Sequence, residues 1–164
     1  MKLSAQEEYG LRCLLHIAGR GDESAPTNPE ISRAEGLSQP YVAKLLRILR
    51  KGGFIKSVRG QAGGYTLSRP AEDISVGEVL ALLGGRIFEA EFCNRYPGTN
   101  SICNHTVDCG VRSLWRAIQK AVDEIALHIT LKDLLANEHE VASKVSKPIS
   151  LSGTKRTPTE PLAG

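Results

Sequence analysis

No run of about eighteen uninterrupted apolar residues occurs in the 164-residue chain, so the sequence offers no membrane-spanning helix. A basic start followed by an apolar stretch and a cleavage site is also missing, which leads us to expect a cytoplasmic protein. The sequence has no internal repeat, nucleophile elbow, phosphate loop or paired-histidine helix motif, and we expect no enzymatic activity. Cysteine is scarce, with four residues. In a reducing compartment, clustered thiols in a short chain favour metal or redox chemistry over a disulfide framework. What remains, 41% hydrophobic and 24% charged residues, suits one globular domain with extensions.

The net charge of +3 conceals a segregation. Residues 33 to 70 carry eight cations (Arg33, Lys44, Arg47, Arg50, Lys51, Lys56, Arg59 and Arg69) against Glu35 alone. The rest of the chain is therefore acidic, and the basic stretch has the character of a polyanion-binding surface.

Helix signals underlie that charge. Ser4 and Glu7 have capping-box spacing ahead of an apolar face at Leu11, Leu14, Leu15 and Ala18 that ends near Gly19. Cys13 lies in this pattern as a small buried hydrophobe. Thr27 and Glu30 form a second capping pair around Pro29, opening a short helix that stops at Gly36. Ser38 is expected to cap a third helix, with a buried stripe at Val42, Leu45, Leu46 and Leu49 and an end at Gly52. Two helices joined by a glycine-containing turn are the helix-turn-helix pattern.

Residues 54 to 59 then have strand composition, 60 to 64 supply a glycine-rich turn, and 65 to 67 return as a partner strand. A basic hairpin after a recognition helix is a wing. The fold class expected is mainly α with a small β-hairpin wing: a winged helix-turn-helix, to which a family resemblance adds a long dimerisation helix. Ser38, Gln39, Tyr41 and Lys44 fall in the early turns that enter the major groove. Lys44, Arg47 and Lys51 are placed to hold phosphates, and Arg59 at the wing tip to enter the minor groove, where glycines let the backbone approach.

Cys93, Cys103 and Cys109 lie within seventeen residues in the pattern Cys-x9-Cys-x5-Cys, unlike a zinc ribbon and one ligand short of a four-ligand site. Asn94, Pro97, Gly98, Asn100 and Asn104 suit a segment that wraps an inorganic core, and His105 is a possible fourth donor. A zinc-stabilised or cofactor-free winged-helix repressor stays open as an alternative. An iron-sulfur electron carrier would leave the basic helix unexplained.

The runs Leu37-Ser38-Gln39-Pro40-Tyr41, Leu46-Arg47-Ile48-Leu49-Arg50-Lys51-Gly52-Gly53-Phe54 and Ser57-Val58-Arg59-Gly60-Gln61-Ala62-Gly63-Gly64-Tyr65-Thr66-Leu67 resemble the signature of the Rrf2-type bacterial regulators, a family that includes iron-sulfur and nitric-oxide sensors. Met1-Lys2-Leu3-Ser4 and Ile74-Ser75-Val76-Gly77-Glu78-Val79 also fit, and the resemblance covers about residues 1 to 135. It implies a homodimer bound to double-stranded DNA at a two-fold operator. With the basic surface, it gives a candidate DNA-binding set of Lys2, Ser38, Gln39, Tyr41, Lys44, Arg47, Arg50, Lys51, Arg59, Gln61, Gly63 and Gly64.

The resemblance further implies an iron-sulfur cluster on Cys93, Cys103 and Cys109, with [2Fe-2S] preferred over [4Fe-4S]. The first gap is longer than is usual in the family. Some relatives supply a histidine after the third cysteine, where this chain has Arg112; others recruit a carboxylate from helix one of the opposite subunit, so the resemblance points to Glu8 of the partner subunit as fourth ligand, with His105 as the alternative. Such a dimer would sense redox state, iron-sulfur status or nitric oxide.

Val111, Leu114, Ile118, Ala121, Val122, Ile125 and Ile129 recur at helical spacing, as a helix packed across a two-fold axis requires, and Leu131, Leu134 and Leu135 widen the surface. The organisation expected is thus a DNA-binding domain over 1–85, a cysteine-rich loop over 86–110, a dimerisation helix over 111–138 and a disordered tail over 139–164.

Overall fold

Four hydroxyl residues set where the helices begin. Ser4, Thr27, Ser75 and Thr130 each accept a hydrogen bond from the amide three residues on, and Glu7, Glu30, Glu78 and Asp133 reach back to the cap amide. Each cap is worth about 0.5–2 kcal/mol and leaves its helix a defined start. The computed structural model describes residues 3–21, 24–58, 63–86, 88, 93 and 108–146.

In chain order the elements are α1 (Ala5–Gly19), α2 (Asn28–Glu35), α3 (Gln39–Lys51), β1 (Ile55–Val58), β2 (Gly64–Leu67), a 3-10 turn (Ala71–Asp73), α4 (Val76–Gly84), α5 (Gly110–His128), α6 (Leu131–Leu134) and α7 (Glu138–Val145). Gly36 ends α2 in the left-handed region at φ 67°, as the turn between α2 and α3 requires. Gly52 is right-handed, and the positive φ that releases the chain from α3 falls one residue later, at Gly53.

The core lies where α1, α3 and α4 meet. Leu14 and Ile17 of α1, Ile31 of α2, Val42, Leu45, Leu46 and Leu49 of α3, Val79 and Leu83 of α4, with Phe54, Ile55, Ile74 and Leu131, form one buried cluster. Burial of each large side chain contributes about 1.5–3 kcal/mol. Adjacent leucines of α4 fill two glycine sites: Leu83 lies against Gly10 of α1, and Leu82 against Gly52 after α3. The expected stripe of α3 is therefore the inner wall of the domain.

The hairpin pairs antiparallel, with Ile55 opposite Leu67 and Val58 opposite Gly64. The Tyr65 amide donates to the Pro26 carbonyl at 3.1 Å, so the loop before α2 lies along the outer side of β2. A Cβ at Gly64 would stand 2.2 Å from the Ala25 carbonyl oxygen, a backbone atom that cannot swing aside. Gly64→Ala is expected to destabilise the fold by roughly 1–3 kcal/mol, read as a lower urea midpoint; an unchanged midpoint would contradict this packing.

The carboxy-terminal helices depart from the sequence expectation. A single helix over 111–138 is not formed: α5 stops at His128, because Ile129 and Thr130 are extended. There Val76 N–H donates to Ile129 O and Leu131 N–H to Ile74 O, both at 2.8 Å, around a Ser75–Thr130 bridge. Thr130 then caps α6. Part of the expected tail is also ordered, as α7, whose Lys144 is bonded to Asp133 of α6.

Lys144 and the Thr130 amide and hydroxyl hold the Asp133 carboxyl down at about 2, below the ordinary 3.8. A carboxylate with a depressed folded-state pKa stabilises above its unfolded pKa and loses that contribution as pH falls through the folded one. The stability difference between wild type and Asp133→Asn is therefore expected to be full above about pH 4 and to vanish toward about pH 2. Thermal melts across that range check it, and a pH-independent difference would refute it.

Candidate nucleic-acid interface and cysteine site

Helix α3 buries one face and turns a basic one outward. Ser38, Gln39, Lys44, Arg47, Arg50 and Lys51 are all exposed, and none of these four cations makes an ion pair among the described residues. The start of α3 has no acidic side chain in its first turn. Ser38 occupies the cap position, but its hydroxyl makes no cap hydrogen bond among the described residues, contrary to expectation. Pro40 has no N–H and the Tyr41 amide donates to the Ser38 carbonyl, so it is the exposed Ser38 hydroxyl, not a row of free amides, that stands beside the basic row.

Glu35, the one acid of the basic stretch, is taken up by α1. Arg12 Nε lies 2.9 Å and His16 Nδ1 3.4 Å from its two oxygens. Arg69, though exposed, is similarly engaged, 2.9 Å from Glu78 and stacked over Phe54, so unlike the α3 cations its charge is already paired.

Two residues of the candidate DNA-binding set make packing contacts within the domain. Tyr41 is half-buried, packed edge-on to Tyr9 of α1 with ring centroids 6.1 Å apart, and Lys44 lies 6.0 Å over its ring. Tyr41 therefore fixes α3 against α1, a role its helical position alone does not reveal. Gly64 is buried against Ala25 and serves the packing of the hairpin, while Gly63, at φ 56°, makes the turn. Lys2, Arg59 and Gln61 lie outside the described residues.

Of the cysteine set, Cys93 and Cys109 are half-buried thiols, and Cys103 and His105 lie outside the described residues. Among the described residues no three of His, Cys, Asp and Glu converge on a metal site. Cys109 occupies the cap position of α5, its Sγ accepting the Arg112 amide at 3.4 Å. This contact was not foreseen; the signal for it was Gly110 followed by an uninterrupted helical pattern. A cysteine sulfur held at a helix amino terminus, with further cysteines close in sequence, has the donor chemistry of a ligand to a thiophilic inorganic group.

Glu8 is exposed on the first turn of α1, and Glu7 performs the capping there, so the Glu8 carboxylate has no hydrogen bond among the described residues. Cys13 is fully buried, and burial, with a smaller effect from Glu35, pushes its thiol up to about 12. It is a core residue, as its place in α1 suggested.

A helix-turn-helix followed by an antiparallel hairpin, with a basic outer face on the second helix, defines a winged-helix DNA-binding transcription regulator, not an enzyme. The Rrf2 family model, described as an iron-dependent transcriptional regulator, matches residues 3–137, and the chain belongs to that family. It is 38% identical over 135 residues to Protein rrf2 of Nitratidesulfovibrio vulgaris, covering 82% of this chain and 87% of that one. It is 30% identical over 138 residues to the transcriptional regulator IscR of Serratia proteamaculans, covering 84% and 81%.

Among solved structures, CymR, described as the global cysteine regulator of B. subtilis, superposes with a TM-score of 0.67 at 30% identity, covering 82% of this chain and 96% of that one. The IscR of T. potens gives 0.65 at 32%, covering 82% and 86%. No described helix is long and apolar enough to cross a membrane.

Proposed function

We propose that this regulator is a homodimer whose affinity for a two-fold operator is set by an iron-sulfur cluster on Cys93, Cys103 and Cys109, with [2Fe-2S] preferred. The observation that carries the reading is Cys109: its sulfur is both a candidate ligand and the cap of α5. Glu8 of the partner subunit is the preferred fourth ligand, with His105 as the alternative. When bound, the cluster supplies reversible one-electron chemistry and reactivity toward oxidants and nitric oxide.

The chain's own residues do the rest. Val111, Leu114 and Ile125 leave apolar surface on α5 exposed at 63%, 55% and 38%, enough to call for a second copy. Exposed Ser38, Gln39 and Lys44 meet base edges and the nearest phosphates, Arg47, Arg50 and Lys51 hold phosphates along α3, and Lys2, Arg59, Gln61 and Gly63 extend the contact beyond it. Because the two recognition helices must lie about one helical turn of DNA apart, a small change in the angle between subunits changes operator fit.

The test is anaerobic purification with iron, sulfide and zinc analysis, followed by mobility shifts on a duplex selected in vitro from a random library. We expect matched iron and sulfide, and a different affinity in holo and apo protein. Zinc without sulfide would establish the zinc-stabilised reading. A metal-free protein that binds normally would establish a cofactor-free one, which the likeness to the cysteine regulator CymR makes worth separating.

A further inference from the structure

Helix α3 starts without the side-chain cap bond that fixes α1, α2, α4 and α6, since among the described residues the Ser38 hydroxyl accepts none. Its start is held from α2 instead. Asn28 and Ser32 lie four residues apart on α2, a spacing that puts both side chains on one face. Asn28 Nδ2 donates to the Gln39 carbonyl at 3.3 Å, and Ser32 Oγ donates to the Leu37 carbonyl at 2.5 Å. The carbonyls on either side of Ser38 are thus both taken by the neighbouring helix.

The two grips differ in character. Ser32 is buried, and Leu37 returns a second bond from its amide to the Ser32 carbonyl at 3.0 Å, which closes the Gly36 turn. Asn28 is only half satisfied. Its Oδ1 is buried with no hydrogen-bond partner among the described residues, and an unmatched buried carbonyl costs stability. What Asn28 secures is therefore less the fold than the place of the first residue of α3. Ser38 and Gln39 are both exposed there. A group that reads a base must be held within about 0.5 Å of its working position by other residues, and these two carbonyl bonds are what hold it.

We propose that Asn28 and Ser32 are positioning residues for operator specificity: by gripping the Gln39 and Leu37 carbonyls, they fix the Ser38 hydroxyl and the Gln39 amide in register with the base edges. This rests on the reading of Ser38 and Gln39 as the groups that meet base edges.

The test measures the affinity of the full-length protein for two duplexes of equal length, the one selected in vitro and one with its bases scrambled. Their ratio reports base discrimination, because phosphate attraction is the same for both. Asn28→Ala should lower the ratio by about tenfold, within the range for losing one good base contact. Affinity for the scrambled duplex and its salt slope should stay within about twofold of wild type. Ser32→Ala should lower the ratio as well, with a lower thermal midpoint, because it also strands a buried contact. If Asn28→Ala does not fold, Asn28→Asp gives the same readout: a charge in the first turn of a helix is favourable, the donor is gone, and repulsion from DNA cancels in the ratio.

Ser38→Ala with Gln39→Ala is the control. It should lower the ratio by itself, and in that background Asn28→Ala should change the ratio by less than about twofold, since nothing is left to position. A control that keeps the full ratio defeats the base-reading assignment of Ser38 and Gln39, and this proposal with it. A control that lowers the ratio, beside Asn28→Ala and Ser32→Ala variants that do not, leaves that assignment standing and overturns the proposal alone. Equal weakening on both duplexes also overturns it, because that is the mark of a phosphate contact or of general loosening.

Discussion

Leu45→Ala is expected to lower the unfolding free energy by about 2–5 kcal/mol, the range for removing a fully buried leucine from a packed core. Leu45 is 0% exposed and stands in the α3 stripe between Val42 and Leu49. Small domains are commonly stable by only about 5–15 kcal/mol, so a large share of the folded population would be lost on modest warming. DNA binding should fall with it although no DNA-facing atom is removed. Leu45→Ile, which conserves volume, should cost under about 1.5 kcal/mol. Urea titrations followed by circular dichroism separate the two, and near-equal midpoints would mean that α3 is not seated as described.

The second large effect concerns salt. Arg47 and Lys51 are exposed, four residues apart on one face of α3 and without an ion pair among the described residues. If both hold phosphates, the double substitution Arg47→Ala with Lys51→Ala removes four contacts from the proposed dimer. The slope of log K against log salt should then become shallower by about 3–4, at about 0.9 per phosphate, with affinity falling by roughly 10²–10³ at moderate salt. Arg69→Ala, whose guanidinium is engaged by Glu78 and Phe54, should leave the slope unchanged. Fluorescence anisotropy at several salt concentrations reads both variants; equal slopes for wild type and the double variant would remove these residues from the interface.

Local grammar made most of the winged helix legible. The Ser4–Glu7 and Thr27–Glu30 boxes, Gly36 and the α3 stripe depend on contacts a few residues apart, and they appear as read. The Rrf2 membership followed from the same short runs. What escaped depends on distant partners. Tyr41 turns inward because Tyr9 is there to receive it, and Gly64 is constrained by Ala25, nearly forty residues earlier. Apolar periodicity carried the long helix past Ile129, whereas pairing with Ile74 and Val76 breaks it there. The cysteine pattern gave donor chemistry but no partners, so the Cys109 cap was not readable from spacing.

The two backbone hydrogen bonds that stitch Ile129 and Leu131 to the strand-like edge at Ile74 and Val76 act as a fulcrum. A nineteen-residue helix anchored at that point is an arm about 28 Å long, with its sulfur-bearing tip at the far end. A push at the tip has the greatest leverage, and a tilt of about 5° sweeps it by roughly 2 Å while its base stays in place. Under the proposed function, a chemical change at Cys109 would act where the least force produces the most rotation, on the helix that packs against α4 of the winged domain.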